Sequence, residues 1–303
     1  MKSETVLITD RDEIRKLSGK SKESVFRDIK IIKEWLETQK HLPEIPSDNL
    51  IEFFLNNCKF SIEKTKQNLD MYYTLRNLIP DMYQNVNPST PNLEEVYKKV
   101  YMIPLPQLTP SKERIILFRY KDVDDIVDIR KIYAHYLNNI YEIRAQEDLT
   151  MGDVVLVDLE HISFAMAAKN TPVILKQVAL AMEKVHSLRM KGIFIFNCPN
   201  YLTNFLNLFK SFLSSKLSER FHVYPTIESI GKHFPIDILP SDLGGKEKSL
   251  DELEAMWKVK FMEFKDRFDE LEKMKVNEKL RPEKLKNDEL LGYYGNFKKI
   301  DTD

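Results

Sequence analysis

Val154-Val155-Leu156-Val157-Asp158-Leu159, then Thr171-Pro172, then Gly192-Ile193-Phe194-Ile195-Phe196-Asn197-Cys198 make up the stretch from which the fold can be read. The two outer runs are short, rich in β-branched and aromatic residues and nearly continuously apolar, as strands covered on both faces are. Thr171 suits a helix N-cap and Pro172 the first turn, where a missing N–H costs nothing, so a helix is expected from there to about His186. Strand, helix and strand over this length form a crossover that joins parallel neighbours with a right-handed turn. The expected fold class is α/β, a mixed and mostly parallel sheet with flanking helices.

The flanking sequence extends this unit. Arg114 to Tyr120 reads as an earlier strand, Phe221 to Tyr224 as a short later one, and Asp124 to Gln146 as a helix. Pro80, Pro88, Pro91, Pro104, Pro106 and Pro110 cannot continue a helix and read as connecting chain around a short helix at Leu93 to Val100. Upstream, Val25, Phe26, Ile29, Ile32, Trp35 and Leu36 recur at helical spacing. Ser47-Asp48 opens a second helix through Phe53, Phe54 and Leu55, and Ser61 caps a third carrying Ile62, Leu69, Tyr72 and Tyr73. The expected organisation is an all-helical module over 1–88, a sheet domain over 89–246, and a C-terminal helix and tail over 247–303. Ser249 and Glu252 have capping-box spacing ahead of Leu253, Trp257, Phe261, Phe264 and Phe268, and Gly292-Tyr293-Tyr294-Gly295-Asn296-Phe297 lies in the tail.

Composition removes several function classes. The chain has 303 residues, 43% of them hydrophobic and 31% charged, which is too apolar for disorder and enough for a sizeable core. Its 46 basic and 47 acidic residues leave a net charge of −1, so no global field draws a polyanion and no nucleic-acid partner is expected. Eight glycines assemble no GxGxxG or GxxxxGK string. Cys58 and Cys198 lack CxxC partners, and His41, His135, His161, His186, His222 and His233 show no HExxH spacing. Asp122, Asp124, Asp125 and Asp128 lack EF-hand order and suit the acidic start of a helix. No GxSxG elbow occurs, and Cys198 has no evident base. The chain is therefore expected to be no enzyme and to hold no metal or cofactor. It opens on charged residues and contains no apolar run near the ~18 residues of a membrane span, so it reads as cytoplasmic and non-spanning.

Tyr201 to Leu217 carries the functional argument. Tyr201, Leu202, Phe205, Leu206, Leu208, Phe209, Phe212, Leu213 and Leu217 stand there with only Lys210 and Lys216 as charges. Burying each Leu or Phe gains about 1.5 to 3 kcal/mol, so these side chains need core, ligand or membrane to meet. Around them, from Arg189 to His233, six basic residues face two acidic ones, a local excess of four positive charges. That combination suits an anionic membrane surface, where each Lys or Arg adds about 1 kcal/mol, although scattered solvated lysines give the same count.

Several separated stretches resemble one family. Asp48-Asn49-Leu50-Ile51-Glu52-Phe53-Phe54-Leu55 with Cys58-Lys59-Phe60-Ser61-Ile62-Glu63-Lys64 is similar to the N-terminal helical module of CRAL-TRIO proteins. Phe209-Lys210-Ser211-Phe212-Leu213-Ser214-Ser215-Lys216-Leu217-Ser218-Glu219-Arg220, with Ile238-Leu239-Pro240 and Gly244-Gly245, resembles the lipid-binding domain of that family. The likeness runs over about residues 22 to 300 and is strongest to the tocopherol-transfer, retinaldehyde-binding and clavesin branches.

The resemblance implies a lipid cavity between a sheet floor and flanking helices, closed by a gate helix. That gate would hold Tyr201, Leu202, Phe205 and Leu208 and run on through Phe209, Phe212 and Leu213 to Leu217. Strand alternation and family position together suggest a pocket lined by Phe118, Tyr120, Tyr133, Leu137, Val155, Val157, Phe164, Phe194, Phe196, Phe205, Leu206 and Phe209, about half of which should touch ligand. The resemblance also implies a phosphoinositide groove at Arg189, Lys191, Lys216 and Arg220. Two departures weaken the match. Asn56-Asn57-Cys58 stands where relatives carry Arg-Ala-Arg, and His161 replaces a common glycine, which suggests a positive φ there at some cost. The implied protein is a monomeric intracellular carrier of a retinoid, tocopherol, carotenoid or related lipid that exchanges its cargo at membranes. The alternative is a phosphoinositide-binding trafficking or interaction module that transports nothing.

Overall fold

In a computed structural model of the chain, residues 5–78, 83, 86–121, 132, 137–172, 174–175 and 189–283 are described. The N-terminal helices are α1 (Arg11–Leu17), α2 (Lys22–Thr38), α3 (Asp48–Asn57) and α4 (Ile62–Leu78). Each begins where a side chain can satisfy a free backbone donor: Ser21 Oγ accepts from the Ser24 amide and Ser47 Oγ from the Leu50 amide at 3.2 Å. Val25, Ile29, Ile32 and Leu36 form the buried stripe of α2, while Phe26 stands exposed. These side chains join Phe53, Phe54, Tyr72 and Tyr73 in one apolar cluster, which Tyr141, Ala145 and Val276 complete from later in the chain. The Phe53 and Tyr141 rings meet edge to face at 5.3 Å.

After α5 (Pro91–Tyr97), five strands form one sheet in the order β1 (Val100–Leu108), β2 (Glu113–Tyr120), β3 (Gly152–Asp158), β4 (Met190–Phe196) and β5 (Phe221–Val223). The first pair is antiparallel and the others are parallel, so the sheet is mixed and mostly parallel, as expected. The expectation of connecting chain around Pro104 and Pro106 is wrong: both lie in β1. Among the described residues that strand ladders with β2 alone, and its register shifts between Pro104 and Leu108, so an edge position absorbs prolines that a central strand would reject. The Pro104 carbonyl is used instead by the Trp257 indole, at 3.2 Å.

The register aligns one set of side chains across the sheet. Ile116, Val155, Ile193 and Phe221 are lateral neighbours, and so are Phe118, Val157 and Ile195. The end of the expected helix at Asp124 to Gln146 is α6 (Asn138–Glu147); of the rest, only residues 132 and 137 are described. The helix expected from Thr171 starts as read, with the Leu175 amide donating to the Thr171 carbonyl at 3.0 Å, and residues 176–188 lie outside the described residues.

Four fully buried charges fasten β2, α6 and β3 together. Arg114 reaches Asp148 at 2.7 Å, and Arg144 reaches Asp148 at 2.9 Å and Asp153 at 2.5 Å. Burial pushes the Asp148 carboxyl up, but the two guanidinium groups outweigh it and hold it at about 2. The helices α7 (Phe164–Lys169), α8 (Thr203–Ser211) and α9 (Ser215–Ser218) lie between the later strands. Beyond the sheet, α10 (Leu250–Glu263) opens with the expected capping box and buries Trp257 and Phe261, and α11 (Lys265–Lys273) buries Phe268. Arg267 on α11 binds Glu44 at 2.7 Å and Glu142 at 2.8 Å, tying the C-terminal helices to the N-terminal module. The tail motif at Gly292 to Phe297 lies outside the described residues.

Candidate functional site

The sheet face bearing Ile116, Phe118, Tyr120, Val155, Val157, Ile193 and Ile195 does not meet solid packing. It borders a cavity of about 190 Å³, roofed by Phe205, Leu206 and Phe209 of α8 and closed at its sides by Ile132, Leu137, Ile162 and Leu175. Hydrocarbon and aromatic groups dominate the wall; Asn170 and Tyr120 are its members with polar side-chain atoms. Dry apolar cavities on the order of 150 Å³ already accept a benzene-sized guest, so this one has room for a ring or a short length of a lipid's hydrocarbon.

Eight of the residues expected in a pocket come together here: Phe118, Tyr120, Leu137, Val155, Val157, Phe205, Leu206 and Phe209. Three do not. Phe194 and Phe196 sit on β4 one residue out of phase with Ile193 and Ile195, so they face the opposite side of the sheet, where Phe194 packs on Phe234 at 6.0 Å and on His233 at 4.7 Å. Phe164 is 68% exposed on α7 and does not line the cavity; its ring lies 6.2 Å from that of Tyr201. Tyr133 lies outside the described residues. The reading of β4 failed because it favoured the larger side chain over the strand phase. Pairing β4 with Val155 and Val157 would have selected Ile193 and Ile195, since lateral neighbours share a face.

His161 likewise departs from expectation. It is not among the residues with positive φ, and it neither lines the cavity nor strains the loop. Instead its ring nitrogen meets Arg119 Nη2 at 3.2 Å, a polar contact that occupies the side chain outside the pocket. The glycine-like backbone in this region belongs to Asn197, with φ of 52° immediately after β4.

The expected gate is broken rather than continuous. Tyr201 and Leu202 lie in a 3-10 turn, α8 runs to Ser211, and Phe212-Leu213-Ser214 separates it from α9. Ser214 starts α9 by accepting from the Leu217 amide, which is why the helix restarts there. Leu202, Leu206, Leu213 and Leu217 point inward and are buried, whereas Leu208 is 39% exposed and Tyr201 half exposed. The Tyr201 hydroxyl donates to the Ile162 carbonyl at 2.5 Å, holding the start of α8 to the loop after β3.

Arg189 and Lys191 lie at the beginning of β4 and Arg220 just before β5, while Lys216 stands exposed on α9. Arg220 donates to the Met190 carbonyl, and the Ile193 amide returns a bond to the Arg220 carbonyl at 2.8 Å. Arg189 reaches the Asn56 carbonyl at 3.4 Å, and burial pushes its guanidinium down from the ordinary arginine value. Lys191 is 3.8 Å from Glu113, and its stem lies against Gly152, where a Cβ would be 2.7 Å from Lys191 Cγ. Among the described residues, no carboxylate pairs with Arg189, Lys216 or Arg220. The Asn56-Asn57-Cys58 departure adjoins this edge. Asn56 spends its amide on the Thr150 carbonyl at 2.7 Å and contributes no charge.

Comparisons with known proteins agree with this geometry. Residues 98–245 match the CRAL/TRIO domain, and residues 21–93 match the Pinta-like UBA domain. The human alpha-tocopherol transfer protein-like protein is 25% identical over 249 residues, covering 80% of this chain and 71% of its own. Clavesin-1 of Xenopus laevis is 24% identical over 233 residues, 74% of this chain and 68% of its own. The crystal structure of Sfh5 superposes with a TM-score of 0.52 at 12% identity over 81% of this chain and 92% of that one, a likeness of fold. The described residues include no helix long and apolar enough to cross a membrane.

Proposed function

We propose that this chain, which belongs to the CRAL-TRIO family of lipid-binding proteins, carries one hydrophobic small molecule and exchanges it at membranes. The observation that supports this is the apolar cavity of about 190 Å³ beneath Phe205, Leu206 and Phe209, a space that a pure docking module has no use for. Candidate cargoes are retinoids, tocopherols, carotenoids and related lipids. The pocket proper is the set Phe118, Tyr120, Leu137, Val155, Val157, Ile193, Ile195, Phe205, Leu206 and Phe209.

The mechanism is a two-state balance. With α8 closed, Phe205, Leu206 and Phe209 cover the ligand; at a bilayer the same side chains gain an alternative apolar partner, and Leu208 is already exposed to meet it. Neither state gives up much apolar burial, so the membrane itself shifts the equilibrium. The cations Arg189, Lys191, Lys216 and Arg220 form the docking edge for anionic headgroups, phosphoinositides among them. The neutral Asn56 and Cys58 make this edge weaker than one bearing two further guanidinium groups. The protein works as a monomer in the cytoplasm and associates with membranes transiently.

Native mass spectrometry of the purified chain, before and after incubation with retinol, α-tocopherol, β-carotene and phosphatidylcholine, tests the carrier reading. A bound mass of one lipid per chain is expected. A lipid-free spectrum under every gentle condition, with no uptake, rules the reading out.

A further inference from the structure

We infer that His222 and His233 form a proton-gated contact for anionic membrane surfaces, one that adds positive charge beside the docking edge when the pH falls. This rests on the docking-edge reading and is independent of what the cavity holds. His222 lies on the edge strand β5, two residues beyond Arg220, and pairs in register with Phe194. Its ring stacks on that of Phe194 at 5.5 Å, and the His233 ring lies 6.4 Å from it, nearly parallel. Lys232 Nζ stands over the Tyr224 ring at 5.2 Å, and the Tyr224 hydroxyl meets His233 Nε2 at 2.6 Å. Lys232 and His233 are exposed, and His222 and Tyr224 are half-buried.

The charges around this pair are one-sided. The rings packed on it belong to Phe194, Tyr224 and Phe234, and the cations beside it in the chain are Arg220 and Lys232. Among the described residues no carboxylate is within ion-pair distance of His222, Lys232 or His233; Glu219 and Glu228, the nearest acids along the chain, are exposed and pair with none of them. Burial, Lys232 and His222 together hold the His233 imidazole below its ordinary value. An anionic surface offsets that repulsion, so docking favours protonation and, by linkage, protonation favours docking. Protonation leaves the cluster standing: the Tyr224 hydroxyl donates to a neutral Nε2 and accepts from a protonated one, so the contact persists in both states. An imidazolium at His222 keeps its place on the face of the Phe194 ring, which attracts cations. The patch thus passes from Lys232 alone to three cations without rearranging.

The test is sedimentation of the full chain with phosphatidylcholine vesicles, with and without phosphatidylglycerol, at about pH 7.5 and about pH 5.5, a span in which imidazoles titrate and most carboxylates do not. Wild type is expected to bind the anionic vesicles about tenfold tighter at the acid pH and the neutral vesicles no tighter. The double variant His222→Gln, His233→Gln is expected to bring that ratio down to about twofold or less. His233→Lys is expected to bind more tightly than wild type at about pH 7.5 and with a smaller ratio, a gain that damage to the fold does not produce. This exposed single variant decides if the double one does not fold. A wild-type affinity that does not rise on acidification, a rise that the double variant keeps, or a lysine variant indistinguishable from wild type overturns the inference and leaves the docking edge in place. Absence of binding at both pH values overturns the docking-edge reading and this inference with it, while lipid uptake by the cavity is read separately by native mass spectrometry.

Discussion

Reversing the charges at Lys216 and Arg220 probes the docking edge most directly. Lys216 is exposed on α9, and Arg220 is half-buried two residues beyond that helix with its guanidinium on the Met190 carbonyl. Each Lys or Arg near an anionic bilayer contributes about 1 kcal/mol, so replacing a cation by an anion changes the interaction by about 2 kcal/mol at an exposed site. Lys216→Glu takes the full effect. Arg220→Glu takes about half, because its charge is partly withdrawn from the surface, giving roughly 3 kcal/mol for the pair and a fall in vesicle affinity on the order of 100-fold. The loss of the bond to Met190 costs about 1 kcal/mol of fold stability, which a chain of this size tolerates. The assay is sedimentation with vesicles containing phosphatidylserine and a phosphoinositide, at low and physiological salt, run beside native mass spectrometry of the same samples. The expected result is cargo retained, vesicle binding nearly lost, and little remaining salt dependence. A double variant that sediments like wild type would refute the assignment of this edge, and one that loses cargo as well would show that the edge and the cavity are not separable.

Three further outcomes follow from the same geometry. Ile195→Trp projects a large ring from β4 into the cavity and should abolish lipid uptake, whereas Phe194→Leu on the opposite face should leave it within about threefold; equal effects from the two would show that the sheet face has been misassigned. Leu208→Asp on the exposed side of α8 should slow transfer of a preloaded fluorescent lipid to vesicles without changing its affinity in solution, which stopped-flow transfer and equilibrium titration separate. Asp148→Asn leaves Arg114 and Arg144 short of a counter-charge and should cost about 3 to 5 kcal/mol in urea unfolding at pH 7. Because the Asp148 carboxyl sits below its unfolded value, its contribution in the native protein is present above about pH 4 and is lost as pH falls towards 2, in part offset by Asp153, whose carboxyl burial pushes up. A native protein whose stability rises across that acid range would contradict this.

The order of the central strands, the α-helical start of the chain and the greasy segment from Tyr201 onward were all legible, because each depends on local pattern: β-branched runs, apolar spacing and capping residues. The basic positions were legible as a cluster for the same reason, since charge can be counted along the chain. The pocket wall was only half legible. Val155 and Val157 were found, yet Ile193 and Ile195 were missed in favour of Phe194 and Phe196, because a nearly continuous apolar strand carries no alternation to show which phase faces inward.

The sequence by itself determined the fold class, the excess of basic residues from Arg189 to His233 and the oily helix, since backbone propensity, charge and local hydrophobic period are properties of neighbouring residues. Tertiary structure alone decided which face of the sheet borders a void and that Pro104 and Pro106 belong to an edge strand. Those are matters of lateral register and of what remains unfilled between elements. Both are fixed by packing between residues far apart in the chain, where no local pattern reaches.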